Sequence, residues 1–150
     1  MDQNVLQFDK SANDDMTLTY HDSCNVARGS NMGGIMGGQF TIPRKIIKTV
    51  VNNFYDMDEE TIREKTYCCG GGGGLLTDDL MELRVKGALP RMEALKQLID
   101  EKGVTHMAAI CAICKSQFSK VFQYYDLELD QIVSVHQLVS NAIIMNKKEV

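Results

Sequence analysis

The chain has 150 residues, 44% hydrophobic and 24% charged, which is enough for one core and too little for two ordinary domains. Sixteen Lys and Arg against 20 Asp and Glu leave a net charge of −4, a balance that disfavours nucleic acid as a partner. No apolar run reaches the roughly 18–20 residues of a membrane span, so direct membrane insertion is not expected, and residues 1–15 lack the basic-then-apolar order of a secretory signal.

Those first fifteen residues, with Asp9, Asn13, Asp14 and Asp15 and little apolar periodicity, read as a solvated tail or linker, leaving residues 16–150 as the folded domain. Residues 17–20 have the β-branched and aromatic content of a short strand, and a glycine-rich stretch, Gly29 to Gly38, follows as a loop. Pro43 suits the first turn of a helix over about 43–54, with Ile47, Val50, Val51 and Phe54 on its apolar face. Residues 64–67 read as a second strand running into Cys68-Cys69 and five consecutive glycines, Gly70 to Gly74.

Thr77 or Asp78 can cap the next helix, Leu80 and Leu83 begin its stripe, Pro90 kinks or re-opens it, Met92, Leu95 and Ile99 continue it, and Gly103 closes it. A third strand over 106–110 leads to Cys111 and Cys114 at the start of a helix carrying Phe118, Val121, Phe122 and Tyr125. A fourth strand, 132–135, precedes a terminal helix with Leu138, Val139, Ala142 and Ile143. Strand and helix alternate four times, which predicts an α/β fold: a small Rossmann-like, mostly parallel sheet of about four strands with helices on both faces.

Cysteine placement carries the functional signal. Cys24, the Cys68-Cys69 pair, and Cys111 with Cys114 each follow a predicted strand, and in a parallel sheet all strands end on one edge, where ligands bind. Neighbouring strands lie about 4.8 Å apart, so the end loops of three strands fall within roughly 10 Å, the scale of one polynuclear metal centre. Buried cysteines acting as small hydrophobes are one alternative. Zinc on the CxxC is another, although it takes four ligands and five thiols are present. Successive side chains of an extended segment point to opposite sides, so Cys68 and Cys69 more easily serve different metal atoms of an iron–sulfur cluster. The glycine run lacks the Lys-Ser/Thr of a phosphate loop; beside two cysteines, it is read as a loop aiming backbone N–H groups at thiolates and sulfides.

Forty-three residues separate Cys24 from Cys68, and 41 separate Cys69 from Cys111. With Tyr20-His21-Asp22-Ser23-Cys24, Pro43-Arg44, Cys68-Cys69-Gly70-Gly71-Gly72, Cys111-Ala112-Ile113-Cys114 and Val135-His136-Gln137-Leu138, the pattern resembles the cysteine-rich CCG domain of heterodisulfide reductases and related anaerobic redox complexes. The run from Cys68 to Arg91 is most similar to DsrK-like subunits of the membrane complex associated with dissimilatory sulfite reduction. Ser23 stands where that family often has proline, and both cysteine spacings are longer than usual there.

The resemblance implies a noncubane iron–sulfur cluster of 4Fe-4S type held by Cys24, Cys68, Cys69, Cys111 and Cys114, with zinc as a substitute occupant. It implies an oxidoreductase passing electrons to or from a disulfide or trisulfide, with a small sulfur-carrier protein such as DsrC as partner. It further implies a fragment of a larger cytoplasmic subunit, held at the membrane by the other subunits of a redox complex. His21, Arg28 and His136 stand near the ligands in sequence as proton-handling or catalytic groups, with a hydrogen-bonded structural role as the plain alternative for each histidine. Other functions compatible with these residues are an electron relay, as in glycolate, lactate or glycerol-phosphate oxidising complexes, and a zinc-stapled structural module. Lys115 either tempers cluster charge or faces water, and Met32, Met36, Met81 and Met92 read as core or loop filling.

Overall fold

A computed structural model describes residues 6–144. Its elements are β1 (Gln7–Phe8), β2 (Leu18–His21), α1 (Cys24–Ala27), α2 (Gly38–Val50), α3 (Met81–Lys102), β3 (His106–Ala109), α4 (Ala112–Val121), β4 (Ile132–Ser134), α5 (Val135–Ala142) and β5 (Ile143–Ile144), joined by short 3-10 turns. The strands β2, β3 and β4 form a parallel sheet in that spatial order, with Leu18 opposite His106, His21 opposite Ala109, and Ala109 opposite Ser134. A single parallel bridge from Phe54 to Leu18 extends the outer edge of β2.

Alternation along the strands divides the core between the two faces of the sheet. Leu18, Tyr20, Ala108 and Val133 pack with Ile47 and Val50 of α2 and Leu138 and Ala142 of α5. Met107, Ala109 and Ile132 pack with Ala88, Met92 and Leu95 of α3 and Phe118 and Val121 of α4. Helices therefore cover both faces, and the α/β, parallel-sheet expectation holds.

Several boundaries differ from the sequence reading, each for a local reason. The helix expected at 43–54 starts at Gly38, so Pro43 lies in its second turn, and it ends at Val50. Gly37 enters it with φ of 74°, and a Cβ on Gly38 would stand 2.1 Å from the Met32 carbonyl oxygen, so this pair of glycines sets the start.

The expected strand at 64–67 is a 3-10 turn, Arg63–Lys65, with Arg63 at φ of 55°. Side chains satisfy its backbone in place of a neighbouring strand: Arg28 donates to the Glu64 and Thr66 carbonyls, and the Arg63 amide donates to Asp22. In α3 the apolar stripe runs through Ala88, Met92, Leu95 and Leu98, while Leu83, expected on it, is 66% exposed. Gly103 ends α3 in the left-handed conformation, its amide bonded to the Ile99 carbonyl, as expected.

Part of the stretch expected to be a solvated tail is built into the fold. β1 pairs antiparallel with β5, and the buried Asn13 side chain donates to the carbonyls of Val50 and Leu138. The pairing joins segments more than a hundred residues apart, which local composition does not register. Residues 1–5 of that stretch lie outside the described residues. Among the described residues, no helix is long and apolar enough to cross a membrane.

Candidate metal centre

The carboxyl edge of the parallel sheet places the thiols. Three residues beyond the end of β2, Cys24 opens α1, and two residues beyond the end of β3, Cys111 occupies the cap position of α4; both are half-buried. Since His21 and Ala109 are in register on parallel strands, the two cysteines leave the sheet on the same edge. Cys114 lies one turn into α4 and is 2% exposed. That helix directs its first amides and its dipole toward the edge, which favours negative charge there.

The segment carrying Cys68 and Cys69 arrives as a glycine loop. Cys69 is 4% exposed and Cys68 faces solvent. The amide of Gly70 donates to the Cys68 sulfur at 3.3 Å, and that of Gly71 to the Cys69 sulfur at 3.4 Å. Gly70 has φ of 83°, and a Cβ there would sit 2.4 Å from the Arg84 carbonyl oxygen and 2.7 Å from the Ala88 nitrogen. Only glycine lets the loop lie directly on the α3 backbone, with the Cys69 sulfur turned inward and Cys68 at the surface beside it.

These elements bring Cys69, Cys114 and His21 together, with one donor atom from each lying within 4.8 Å of the others, all three buried. His21 is fully buried, its ring edge-on to Phe118 at 4.9 Å, and neither ring nitrogen has a hydrogen-bond partner. Burial, reinforced by Arg91, holds it well below its usual pKa and so in the neutral form. Contact with the Cys114 thiol and burial push Cys69 up to about 12, and contact with Cys69 raises Cys68.

A cation stands behind the sulfurs. Arg91 is fully buried; its Nη1 is 2.7 Å from the Met57 sulfur, its Nη2 donates to the Thr61 carbonyl and to the Thr66 hydroxyl, and its Nε has no partner. It is close enough to His21 and Cys114 to act on both electrostatically. Among the described residues no carboxylate forms an ion pair with it, whereas Arg44 has two such partners and Arg84 one.

Arg28 braces the loop before Cys68 through the Glu64 and Thr66 carbonyls and favours the Cys68 thiolate by its charge. His136 is exposed in the first turn of α5, outside the His21–Cys69–Cys114 group. Lys115 is half-buried.

Sequence reasoning overlooked Arg91. Its signal is the spacing Arg84, Ala88, Arg91, Leu95, which puts two arginines at helix-face positions shared with buried apolar residues. The site suits an iron–sulfur centre: soft sulfur ligands, amides aimed at sulfur, an orphaned imidazole, and a buried guanidinium that no carboxylate among the described residues pairs with directly.

A three-stranded parallel sheet, wrapped by helices and gathering cysteines on one edge, defines a small α/β cysteine-cluster domain. The chain belongs to the CCG family of cysteine-rich domains, whose family model matches residues 18–119. It is 44% identical over 137 residues to the Hdr-like menaquinol oxidoreductase iron-sulfur subunit 2 of Archaeoglobus fulgidus, covering 91% of this chain and 23% of that protein. It is 45% identical over 140 residues to the Hdr-like menaquinol oxidoreductase iron-sulfur subunit of Archaeoglobus profundus, covering 93% and 24%. The chain thus spans about a quarter of the length of these curated relatives. No solved structure matches it significantly.

Proposed function

We propose that this domain is the cluster-binding module of an iron–sulfur oxidoreductase subunit, with Cys24, Cys68, Cys69, Cys111 and Cys114 holding a noncubane 4Fe-4S-type centre. The observation that supports this best is the convergence of Cys69 and Cys114, from a glycine loop and a helix start, on the sheet edge where Cys24 and Cys111 also emerge. The relatives' printed names, iron-sulfur subunits of Hdr-like menaquinol oxidoreductases, support the same reading.

When bound, such a centre takes and gives electrons singly. The substrate proposed is a disulfide or trisulfide: a disulfide accepts two electrons and two protons and leaves as two thiols. The solvent-exposed Cys68 side of the site admits a bulky sulfur substrate, such as the paired cysteines of a carrier protein of the DsrC kind. Gly70 and Gly71 present their amides to sulfur and Arg28 fixes the loop beneath them. The exposed His136, two residues beyond the end of β4, stands near the same edge as a candidate proton-handling group. The module then works within a larger subunit on the cytoplasmic side of a membrane complex, exchanging electrons through partner subunits with a quinol pool.

Anaerobic reconstitution with iron and sulfide, followed by EPR with and without a small disulfide or thiol, tests the substrate step. A spectrum that changes on addition supports it; an unchanged spectrum contradicts it and points to a plain electron relay.

A further inference from the structure

Several buried polar side chains near the sheet edge leave one atom unpartnered, Ser23 through Oγ and Arg91 through Nε, but His21 is the one there that leaves two bare. A buried polar group is nearly always hydrogen-bonded, because leaving it bare costs about 1–3 kcal/mol. Yet both ring nitrogens of His21 lack a partner while the residue is 0% exposed. The ring is fixed on one side by Phe118, and a nitrogen comes within 4.8 Å of both the Cys69 and Cys114 sulfurs. Strand alternation requires this placement. Tyr20 faces α2 and α5, so His21, the next residue and the last of β2, faces α4 and the sulfurs.

An ion with bonds of about 2.0–2.3 Å holds its donors within roughly 4 Å of one another. The observed spacing is therefore within about 1 Å of that needed for one metal atom to bridge nitrogen and sulfur, a change that side-chain rotation can supply. We propose that His21 is a nitrogen ligand to the metal centre, so that the site has a mixed thiolate and imidazole donor set rather than cysteines alone. The assignment rests on the iron–sulfur reading above and adds to it a sixth protein donor.

His21, His106 and His136 are the chain's three histidines. A variant carrying His106→Gln and His136→Gln therefore keeps only His21 and leaves the sulfur-lined site untouched. The test is anaerobic reconstitution of the full chain and of this variant with iron and sulfide, each grown with 14N- or 15N-histidine. Pulsed EPR is then recorded in whichever redox state is paramagnetic.

The expected result is a strong nitrogen coupling of directly bonded imidazole in both proteins, whose quadrupole-split pattern disappears with 15N-histidine. His21→Ala, where it folds and takes up iron, is expected to lose the coupling. Full iron and sulfide uptake with no histidine coupling, or with only the weak coupling of an N–H···S contact, overturns the assignment and leaves the cysteine site standing. Failure of the unmodified chain to take up iron overturns the iron–sulfur reading itself, and the assignment with it.

Discussion

The carboxylate of Asp22 and the guanidinium of Arg44 meet fork to fork, Oδ1 to Nη1 at 2.8 Å and Oδ2 to Nη2 at 2.7 Å. The aspartate side chain is 1% exposed. Asp22 also accepts the Arg63 amide and offers its own carbonyl to Thr66, while Arg44 reaches on to Asp56. One ion pair thus ties the end of β2 to α2 and to the loop that delivers Cys68. Removing Asp22 leaves the buried Arg44 paired only through its Nε with the partly exposed Asp56 and frees the Arg63 amide, so Asp22→Ala is expected to cost about 3 kcal/mol in denaturant unfolding, the low end for a broken buried pair. Adding Arg44→Met to that variant should recover part of the loss. A cost below about 1 kcal/mol for the single change would show that the pair does not anchor the edge.

Gly70 offers a sharper steric test. Alanine there would place its Cβ against the α3 backbone at 2.4 Å and adopt φ of 83°, so the glycine loop must lift from α3. Gly70→Ala is expected to abolish metal retention. Gly73→Ala, where nothing lies within 4 Å, should cost only about 1–2 kcal/mol of left-handed strain and keep its metal. Equal metal content in the two variants would contradict the contact.

Much of this was legible in the sequence. The α/β alternation, the Gly103 stop and the arrival of cysteines after β2 and β3 follow from periodicity and punctuation, which are local. What was not legible depended on distant partners. Asn13 is buried because Val50 and Leu138 offer carbonyls to it, and residues 64–67 curl because Arg28 and Asp22 satisfy their backbone. Arg91 escaped because a charged residue in a helix ordinarily faces water.

Arg91 should matter electrically. A buried cation stabilises the more negative, reduced state of a nearby centre, so Arg91→Met is expected to lower the midpoint potential of the reconstituted chain. A unit charge about 10 Å away at an effective dielectric near 20 contributes about 1.7 kcal/mol, or roughly 70 mV. Arg91→Lys should shift it much less. Redox titration with both variants checks this; an unchanged or raised potential in Arg91→Met would argue that Arg91 serves packing alone.

Ligand loops rich in glycine have little besides the metal to order them. Metal loading is expected to slow amide exchange across residues 28–37 and 69–77 by at least about tenfold, with Gly70 and Gly71 foremost since their amides already point at sulfur. Equal exchange in the loaded and metal-free chains would separate loop order from metal binding.

The cysteines on this edge are proposed to hold one iron–sulfur centre. Its most direct measurement is iron, zinc and acid-labile sulfide per chain after anaerobic preparation, for the unmodified protein and for Cys69→Ser. Iron and sulfide are expected in comparable amounts, several of each per chain, with both lost in the variant. One zinc per chain without sulfide, or iron content indifferent to Cys69, would contradict it.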